Sequence, residues 1–373
     1  MNNHRKTTGK YSSSRGKGWK VWPIWATVLA DVLMVGVILL TFAFFHHVLP
    51  AMQSGQDLPE QPPVVTEAPA TEAPAVPEET LPEETLPDET HPEETVPEET
   101  EPSVPLTEWQ IKFAEHFSDE VIITENSYSS PNVSITIETI KRGEGSEQQV
   151  YHVADIYIAS MENFSTYTAN DRMVYFETQD VMKMNAATNA LLSINGDFLT
   201  YQKAGFLMRN GEIYSETTNN VSICALFADG TMETYDAKGY TIEDIKARGA
   251  VQVWSFGPVL LDENGQVRTR YSMPTAVSQT NPRSAIGYYE PGHYCFVVVD
   301  GRQKNYSTGM SIPELAAVFQ ELGCTKAYNL DGGGSAVMVF NQQRFSRQSN
   351  GGDRKLGDIL YIREKLPVTG QEG

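Results

Sequence analysis

Proline recurs at every fifth position from Pro77 to Pro97, within repeats of the unit PEETL and its variants. Each proline removes a backbone donor and opposes helix and sheet, while the acids between the prolines repel one another and extend the chain. Residues 52–105 carry 15 Asp or Glu and no Lys or Arg. We therefore predict that residues 50–105 are a disordered Pro/Glu/Thr-rich spacer, which leaves residues 106–373 to form one sizeable core.

A long apolar run precedes this spacer. Val21–Phe45 is long enough to cross a bilayer as a helix, and residues 1–20 carry six Lys or Arg and no acid. We predict a basic cytoplasmic tail at 1–20 and a transmembrane signal anchor at 21–49, with the C-terminal domain outside the cell membrane. A cleaved signal peptide is the rival interpretation, but the apolar run exceeds a usual h-region and lacks a clear A-x-A site.

The composition also restricts the partners. A net charge of −20 argues against nucleic acid as a partner. The three cysteines allow one disulfide but no disulfide scaffold, and the sequence contains no CxxC or HxxxH spacing typical of zinc sites. LPVTG at residues 366–370 resembles a sorting signal, but the apolar segment and basic tail of such a signal do not follow it. We interpret it as a coincidence or a remnant.

Strand-like and helical patterns alternate irregularly from residue 106 onward. The strand-like runs are Val121–Thr124, Val133–Ile137, Val150–Ile158, Val221–Phe227, Val251–Trp254, Tyr294–Val299 and Ile359–Ile362. Helical patterns cover Val181–Leu192 and Ser311–Leu322, the second with an S-x-x-E capping box and a stop at Gly323. The sequence therefore predicts a single α+β domain with a mixed β-sheet and packed helices.

Four segments of this domain are strand-like runs with turns rich in Gly, Asp or Asn: 192–198, 281–287, 296–302 and 329–335. The last of them contains Asp331-Gly332-Gly333-Gly334. Successive glycines allow a backbone turn whose N–H groups converge, and such a nest suits an anionic oxygen. Asp331 places a carboxylate at the same spot, so this turn is the first candidate for a functional site.

Taken in order, the segments resemble the phosphodiester glycosidase family. The family motifs are I-N-G-G-F-F, R-[ST]-A-I-G, V-V-D-G-R, Gly-Met-[ST] and N-L-D-G-G-G-S. Their counterparts here are Ile194–Phe198, Arg283–Gly287, Val298–Arg302, Gly309–Ser311 and Asn329–Ser335. One motif alone is weak, but five in the same order form a specific signal. Asp197 is a departure, because it stands where the family commonly has a second glycine.

The resemblance implies hydrolysis of a sugar-1-phosphodiester, of the GlcNAc-1-phosphodiester kind, at the glycosidic C–O bond. Asp331 and then Asp197 are the candidate catalytic carboxylates, for stabilising oxocarbenium-like charge or activating water. Arg283 is the third catalytic candidate, because its planar guanidinium matches phosphate oxygens. The candidate substrate-binding residues are Asn195, Gly196, Asp300, Arg302, Asn329, Gly332, Gly333, Gly334 and Ser335.

Several of these residues also have a structural interpretation. Asp331 can form an Asx turn, Arg283 a surface ion pair, and Asp300 with Gly301 a hairpin turn. Asn195 can bind sugar hydroxyls or simply adopt a left-handed conformation. The sequence alone leaves these alternatives open.

No cofactor is expected to be required, although an Asp and Gly cluster also suits Ca²⁺ or Mg²⁺, here between Asp331 and Asp300. Arg354 and Asp358 can pair with the site or with each other, and the structural interpretation is preferred. The expected partners are a phosphorylated glycan of the cell surface and the membrane. The rival functions are a metal-dependent phosphodiesterase and a non-catalytic module that binds an anionic cell-wall glycan.

Overall fold

Three antiparallel β-sheets make up most of the structure, a computed structural model that describes residues 105–364 apart from 202–204, 218–220, 272, 274, 350, 351 and 353. The predicted tail, anchor and almost all of the predicted spacer lie outside the described residues. Within the described part, no helix has the length and apolar character needed to span a membrane.

The elements are as follows. The strands are β1 (Ile122–Ile123), β2 (Ser127–Ser129), β3 (Val133–Arg142), β4 (Gln149–Ile158), β5 (Phe164–Thr168), β6 (Leu192–Asn195), β7 (Phe206–Arg209), β8 (Glu212–Glu216), β9 (Ile223–Phe227), β10 (Met232–Tyr235), β11 (Ala250–Trp254), β12 (Arg283–Glu290), β13 (His293–Asp300), β14 (Lys326–Asn329), β15 (Met338–Phe340), β16 (Gln343–Arg344) and β17 (Asp358–Ile362). The helices are α1 (Glu108–Lys112), α2 (Val181–Thr188), α3 (Ile242–Ala247), α4 (Thr275–Ser278) and α5 (Ile312–Glu321).

The first sheet has seven strands in the order β1-β2-β3-β4-β13-β12-β14. The second has the order β10-β9-β11-β7-β8 and the third the order β16-β15-β6-β17-β5. A sheet-dominated domain with few helices agrees with the α+β prediction. However, every pairing between the described strands is antiparallel, so three antiparallel sheets replace the single mixed sheet that was expected. Short hairpin connections, such as the two residues between β12 and β13, produce this arrangement.

The main core lies among the three sheets. Phe296 of β13, Trp254 of β11 and Ile194 of β6 all belong to this one apolar cluster. Helix α5 covers the opposite face of the seven-stranded sheet, where Phe319 packs with Val299 in a second cluster. Because β13 is buried on both faces, its sequence is an almost continuous apolar run.

The predicted helix at 311–322 is confirmed as α5. The backbone N–H of Ser311 donates to Glu314 Oε2 at 2.7 Å, and Gly323 has a φ of +81°. The predicted helix at 181–192 is shorter than expected. It ends at Thr188 because Asn189 adopts a left-handed φ of 50°, and Leu192 already begins β6.

Candidate active site

Two turns from different sheets meet at one place. β6 of the third sheet ends at Asn195, and β14 of the seven-stranded sheet ends at Asn329. The backbone N–H of Asp331 donates to the carbonyl of Gly196 at 3.3 Å. The structure therefore brings the first and the last of the five sequence motifs together.

Asn195 connects these turns through its side chain, which is 1 % exposed. Its Nδ2 donates to the Asp331 carbonyl at 2.7 Å and to the Gly196 carbonyl at 3.0 Å. Its Oδ1 accepts from Ser284 Oγ at 2.5 Å and from the Val337 N–H at 3.2 Å. Both polar atoms of Asn195 thus bond within the protein, so the residue positions the two turns.

A pocket opens where the turns face residues 354–358. Its walls include Asp197, Asp331, Ser335, Arg354 and Tyr201. The side chain of Asp331 is 13 % exposed and that of Arg354 is 45 % exposed, whereas that of Asp197 is fully buried. One carboxylate and one guanidinium are therefore accessible from the pocket.

Asp331 is held by weak and local contacts. Its Oδ1 accepts from the Gly332 N–H at 2.9 Å, and its Oδ2 lies 3.5 Å from Arg354 Nη1. Arg354 Nη1 also donates to Ser335 Oγ at 3.3 Å. Burial raises the pKa of Asp331 above its usual 3.8, against the opposing effects of Ser335 and Arg354. Asp331 is consequently a stronger base than an exposed aspartate.

Beneath the pocket lies a buried charge cluster made of Arg209, Asp197 and Asp358. Arg209 Nη2 is 2.8 Å from Asp197 Oδ1, and its Nε donates to Asp358 Oδ2 at 2.8 Å. Burial lowers the pKa of Arg209, but the two carboxylates reverse this effect and leave the pKa raised. Burial raises the pKa of Asp358 to about 7. The positive charge of Arg209 opposes this rise, and the negative charges of Asp197 and Asp331 add to it.

The side chain of Asp358 leaves no room for a side chain at position 196. A Cβ added to Gly196 would lie 2.2 Å from Asp358 Oδ1. The next residue, Asp197, accepts the Ser255 N–H on Oδ2 at 2.9 Å, which ties the turn to the second sheet. Gly196 is therefore required by the close approach of a carboxylate.

The glycine nest differs from the sequence-based expectation. The Gly332 N–H donates to Asp331 Oδ1, and the Gly333 N–H donates to the Pro282 carbonyl at 2.9 Å. Two of the three predicted oxyanion donors therefore already have partners within the protein. Arg302 lies beside Gly333, but its Nη2 donates to Asn281 Oδ1 at 2.7 Å, and Arg302 does not line the pocket.

Arg283 is not brought to the pocket. It is 3 % exposed, and its guanidinium donates to the carbonyls of Met310 at 2.9 Å and Val277 at 2.7 Å. Burial, with the nearby charge of Arg302, lowers the pKa of Arg283 to about 10. These contacts hold the Arg283 guanidinium in the interior, away from the pocket lining, and they differ from the surface ion pair that was the structural alternative.

Asp300 and Asn329 also lie outside the pocket lining. Asp300 Oδ2 accepts from Tyr306 OH at 2.9 Å and lies 3.1 Å from His152 Nε2. Asn329 Nδ2 donates to the Gly257 carbonyl at 2.8 Å. Asp300 and Asp331 thus belong to separate networks, and the described residues contain no group of three or more His, Cys, Asp or Glu arranged to hold a metal ion.

Sequence reasoning missed Arg209 and underrated Arg354 and Asp358. Of the two alternatives for this pair, the structure shows contact with the site, since Arg354 contacts Asp331 and Asp358 contacts Arg209. A usable signal for Arg209 was present, because Asn210-Gly211 follows it and Asn-Gly favours a two-residue hairpin turn. Asn210 and Gly211 indeed have φ values of 50° and 82°, so Arg209 ends a strand.

Comparisons with known proteins agree with this architecture. Residues 188–363 match the family model of the phosphodiester glycosidases. The SPbeta prophage-derived uncharacterized protein YomE of Bacillus subtilis (strain 168) is 26 % identical over 197 residues, which cover 50 % of this chain but only 30 % of YomE.

Among solved structures, the chain is similar to the catalytic domain of zebrafish N-acetylglucosamine-1-phosphodiester alpha-N-acetylglucosaminidase, auto-inhibited by its pro-peptide. The TM-score is 0.52 at 21 % identity, over 66 % of this chain and 88 % of the zebrafish chain. This likeness shows a shared fold. The family match supports a hydrolase that acts on sugar phosphodiesters, and it spans Asp197, Arg209, Asp331, Arg354 and Asp358. The family match over residues 188–363 and the shared fold together support the resemblance to the phosphodiester glycosidases that the sequence motifs indicate.

Proposed function

We propose that residues 106–373 form an extracellular hydrolase that cleaves GlcNAc-1-phosphodiester-like substrates at the glycosidic C–O bond. One observation carries the proposal. Asp331 and Arg354 stand side by side in a small pocket of about 10 Å³, and a buried charge cluster lies beneath it. A carboxylate and a guanidinium are the two groups that such a reaction needs.

Arg354 is the phosphate-binding candidate that the geometry favours over Arg283. Its contact with Asp331 at 3.5 Å is long, so phosphate oxygens can take over its N–H donors. A phosphodiester carries one negative charge, and a planar guanidinium offers paired N–H donors to its oxygens. Lys355 also lines the pocket and adds a second cation there.

Asp331 then lies next to the anomeric carbon. As the phosphate oxygen leaves with the bonding electron pair, positive charge develops on the sugar, and the Asp331 carboxylate stabilises that charge. The same carboxylate accepts a proton from the water whose oxygen forms the new bond to carbon. The products are the free sugar and a phosphomonoester. A raised pKa suits this role, because a more basic carboxylate accepts a proton more readily.

The charged groups in the pocket and in the buried charge cluster together determine how strongly the pocket attracts an anionic substrate. When all are ionised, Asp197, Asp331 and Asp358 carry three negative charges, and Arg209, Arg354 and Lys355 carry three positive charges, so the charges balance. With the pKa of Asp358 at about 7, protonation of this carboxyl below that pH leaves a net positive charge, which favours an anionic substrate.

We also infer that the domain acts at the cell surface. The predicted anchor at 21–49 and the predicted spacer at 50–105 would hold it outside the membrane. A cell-surface polysaccharide that contains phosphodiesters is the substrate class that this location favours. This inference rests on the sequence of the N-terminal region alone.

The test uses the purified full chain and a methyl diester of α-GlcNAc-1-phosphate. Wild type should release free GlcNAc, Asp331→Asn should not, and Asp236→Asn, at an exposed aspartate paired with Arg268, should match wild type. In ¹⁸O-labelled water the label should enter the sugar. Label in the phosphate would instead establish cleavage of the P–O bond, as a phosphodiesterase performs.

Two further outcomes address the rivals. Loss of activity in EDTA would show that a divalent cation is required. Saturable binding of an anionic glycan without release of sugar, weakened in Arg354→Ala, would establish a non-catalytic binding module and contradict the proposal.

A further inference from the structure

Two of the three cysteines lie side by side in the core beneath α5. Cys295 Sγ is 3.5 Å from Cys324 Sγ, although the two residues are 29 positions apart in the sequence. Cys295 is 0 % exposed and Cys324 is 3 % exposed, and both belong to the apolar cluster between the seven-stranded sheet and α5. The structure shows both as free thiols. Since a disulfide bond is about 2.05 Å long, the two sulfurs need to approach by only about 1.5 Å more to be bonded.

Main-chain hydrogen bonds hold both cysteines in place. Cys295 lies within β13, which is paired on both sides, with Gly287 of β12 and Asp155 of β4 as its partners. Cys324 follows the end of α5, and its N–H donates to the Phe319 carbonyl at 3.0 Å. The approach of the two thiols is therefore set by the sheet and by the end of the helix.

The residue opposite Cys295 leaves room for its sulfur. A Cβ added to Gly287 would lie 2.6 Å from Cys295 Sγ and 2.7 Å from Phe319 Cδ1. These distances are too short for a real Cβ atom, so a side chain at position 287 would push the thiol or the helix away. Gly287 therefore keeps free the space in which the Cys295 thiol meets Cys324.

The third cysteine is in a different part of the core. Cys224 of β9 belongs to the apolar cluster among the three sheets, whereas Cys295 and Cys324 lie on the opposite face of the seven-stranded sheet. This sheet therefore separates Cys224 from the other two thiols. Three cysteines leave at least one thiol unpaired, and the structure identifies it as Cys224.

We propose that Cys295 and Cys324 become linked by a disulfide bond when the domain folds outside the membrane. Disulfides form and persist in oxidising compartments, and the location proposed above exposes the domain to such conditions. The bond joins β13 to the end of α5 and closes a loop that carries two of the five sequence motifs, Val298–Arg302 and Gly309–Ser311. Closing this loop stabilises the folded state because it restricts the unfolded chain.

The bond forms by thiol–disulfide exchange. The thiolate of one cysteine attacks the disulfide of a low-molecular-weight or protein oxidant, and the second cysteine then resolves the mixed disulfide. The pair loses two electrons and two protons, and the oxidant is reduced to two thiols. Burial raises the pKa of the Cys295 thiol, and the thiolate is the attacking species, so the exchange takes place before the core has closed. The same burial then shields the finished bond from reductants.

The test counts thiols in the full chain folded in a buffer of reduced and oxidised glutathione. The protein is denatured in guanidinium and alkylated with iodoacetamide, with or without prior reduction, and the modified cysteines are identified by mass spectrometry. Without reduction, Cys224 alone should be alkylated, and one cross-linked peptide pair should contain Cys295 and Cys324. After reduction all three should be alkylated. Without reduction, Cys295→Ala should show two alkylated cysteines and Cys224→Ala should show none.

A stability measurement shows whether the bond belongs to the native fold. A reductant present throughout folding should lower the Tm of the wild type by about 4–16 °C, the effect of losing one loop closure in a domain of this size. Cys224→Ala should show the same reductant-dependent shift, whereas Cys295→Ala and Cys324→Ala should show none. Comparing each variant with itself removes the destabilisation that the substitution causes on its own.

Three alkylated cysteines in the unreduced wild type would overturn the proposal. A bond that includes Cys224, or a Tm of the wild type that does not respond to reductant, would overturn it as well. None of these measurements involves hydrolysis of a substrate, so they decide the disulfide independently of the proposed function.

Discussion

Replacing Arg209 by glutamine should destabilise the domain more than replacing any charged side chain that is exposed to solvent. Arg209 is 1 % exposed and pairs with Asp197 and Asp358 at 2.8 Å each, so its loss leaves two buried carboxylates without their cation. Breaking such a buried pair costs about 3–5 kcal/mol. At roughly 2–4 °C per kcal/mol for a domain of this size, the Tm should fall by about 6–20 °C.

The pH dependence separates this mechanism from simple loss of packing. Without Arg209, the folded-state pKa of Asp358 should rise further above that of an unfolded aspartate, because burial then acts without an opposing cation. The folded variant then holds protons that the unfolded chain has released, so its stability falls as the pH rises. Thermal unfolding at pH 5 and pH 8 should therefore show a larger Tm deficit at pH 8.

The matched control for Arg209→Gln is Arg248→Gln. The Arg248 side chain is 40 % exposed, and its Nη1 lies 3.8 Å from Glu233 Oε1, so this change should cost no more than about 1 kcal/mol. The reasoning is refuted if Arg209→Gln is as stable as this control at pH 8, or if its deficit is larger at pH 5.

Three further predictions concern the candidate active site. Gly196→Ala should lower the free energy of urea unfolding by about 1–3 kcal/mol, since its Cβ would lie 2.2 Å from a carboxylate oxygen, whereas Gly239→Ala, whose nearest atom would be 3.4 Å away, should unfold like wild type. The acidic limb of the kcat/KM profile should lie above pH 3.8, because Asp331 must be ionised and its pKa is raised; a limb at 3.8 would contradict the assignment. The free energy of unfolding of the wild type should fall as the pH rises from 3.8 to about 7, because Asp358 keeps its proton in the folded state but loses it in the unfolded state. In urea titrations over this pH range, Asp358→Asn should not show this fall.

Local patterns were sufficient to predict many individual elements. The capping box at Ser311 and the stop at Gly323 placed α5 to within a residue or two. The apolar runs likewise located β4 and β13. Sheet membership could not be obtained in this way, because it depends on which strands pair across long stretches of chain.

Strand β7 shows what local patterns leave out. Its four residues are all buried, so no apolar–polar alternation marks it as a strand. Arg209 at its end is charged, and charged residues are rarely buried unless they are paired. Asp358 lies 149 residues away in the sequence, and Asp197, although only 12 residues away, lies in the turn after a strand of a different sheet. Only the three-dimensional structure brings these three charges together.

The face of the sheet on which Arg283 lies is set by its position in β12, and a shift of one residue along the strand would place it on the opposite face. Arg283 pairs with Val299 across β12 and β13, and Ser284 pairs with Val298. Paired residues share a face of the sheet, and neighbours along a strand take opposite faces. Val299 packs in the cluster beneath α5, so its partner Arg283 extends toward that helix. Val298 belongs to the core among the three sheets, so its partner Ser284 points to the other side, where its Oγ donates to Asn195. A strand motif alone does not state which face of the sheet becomes the site. We therefore propose Arg354, which borders Asp331, as the phosphate-binding arginine in place of Arg283.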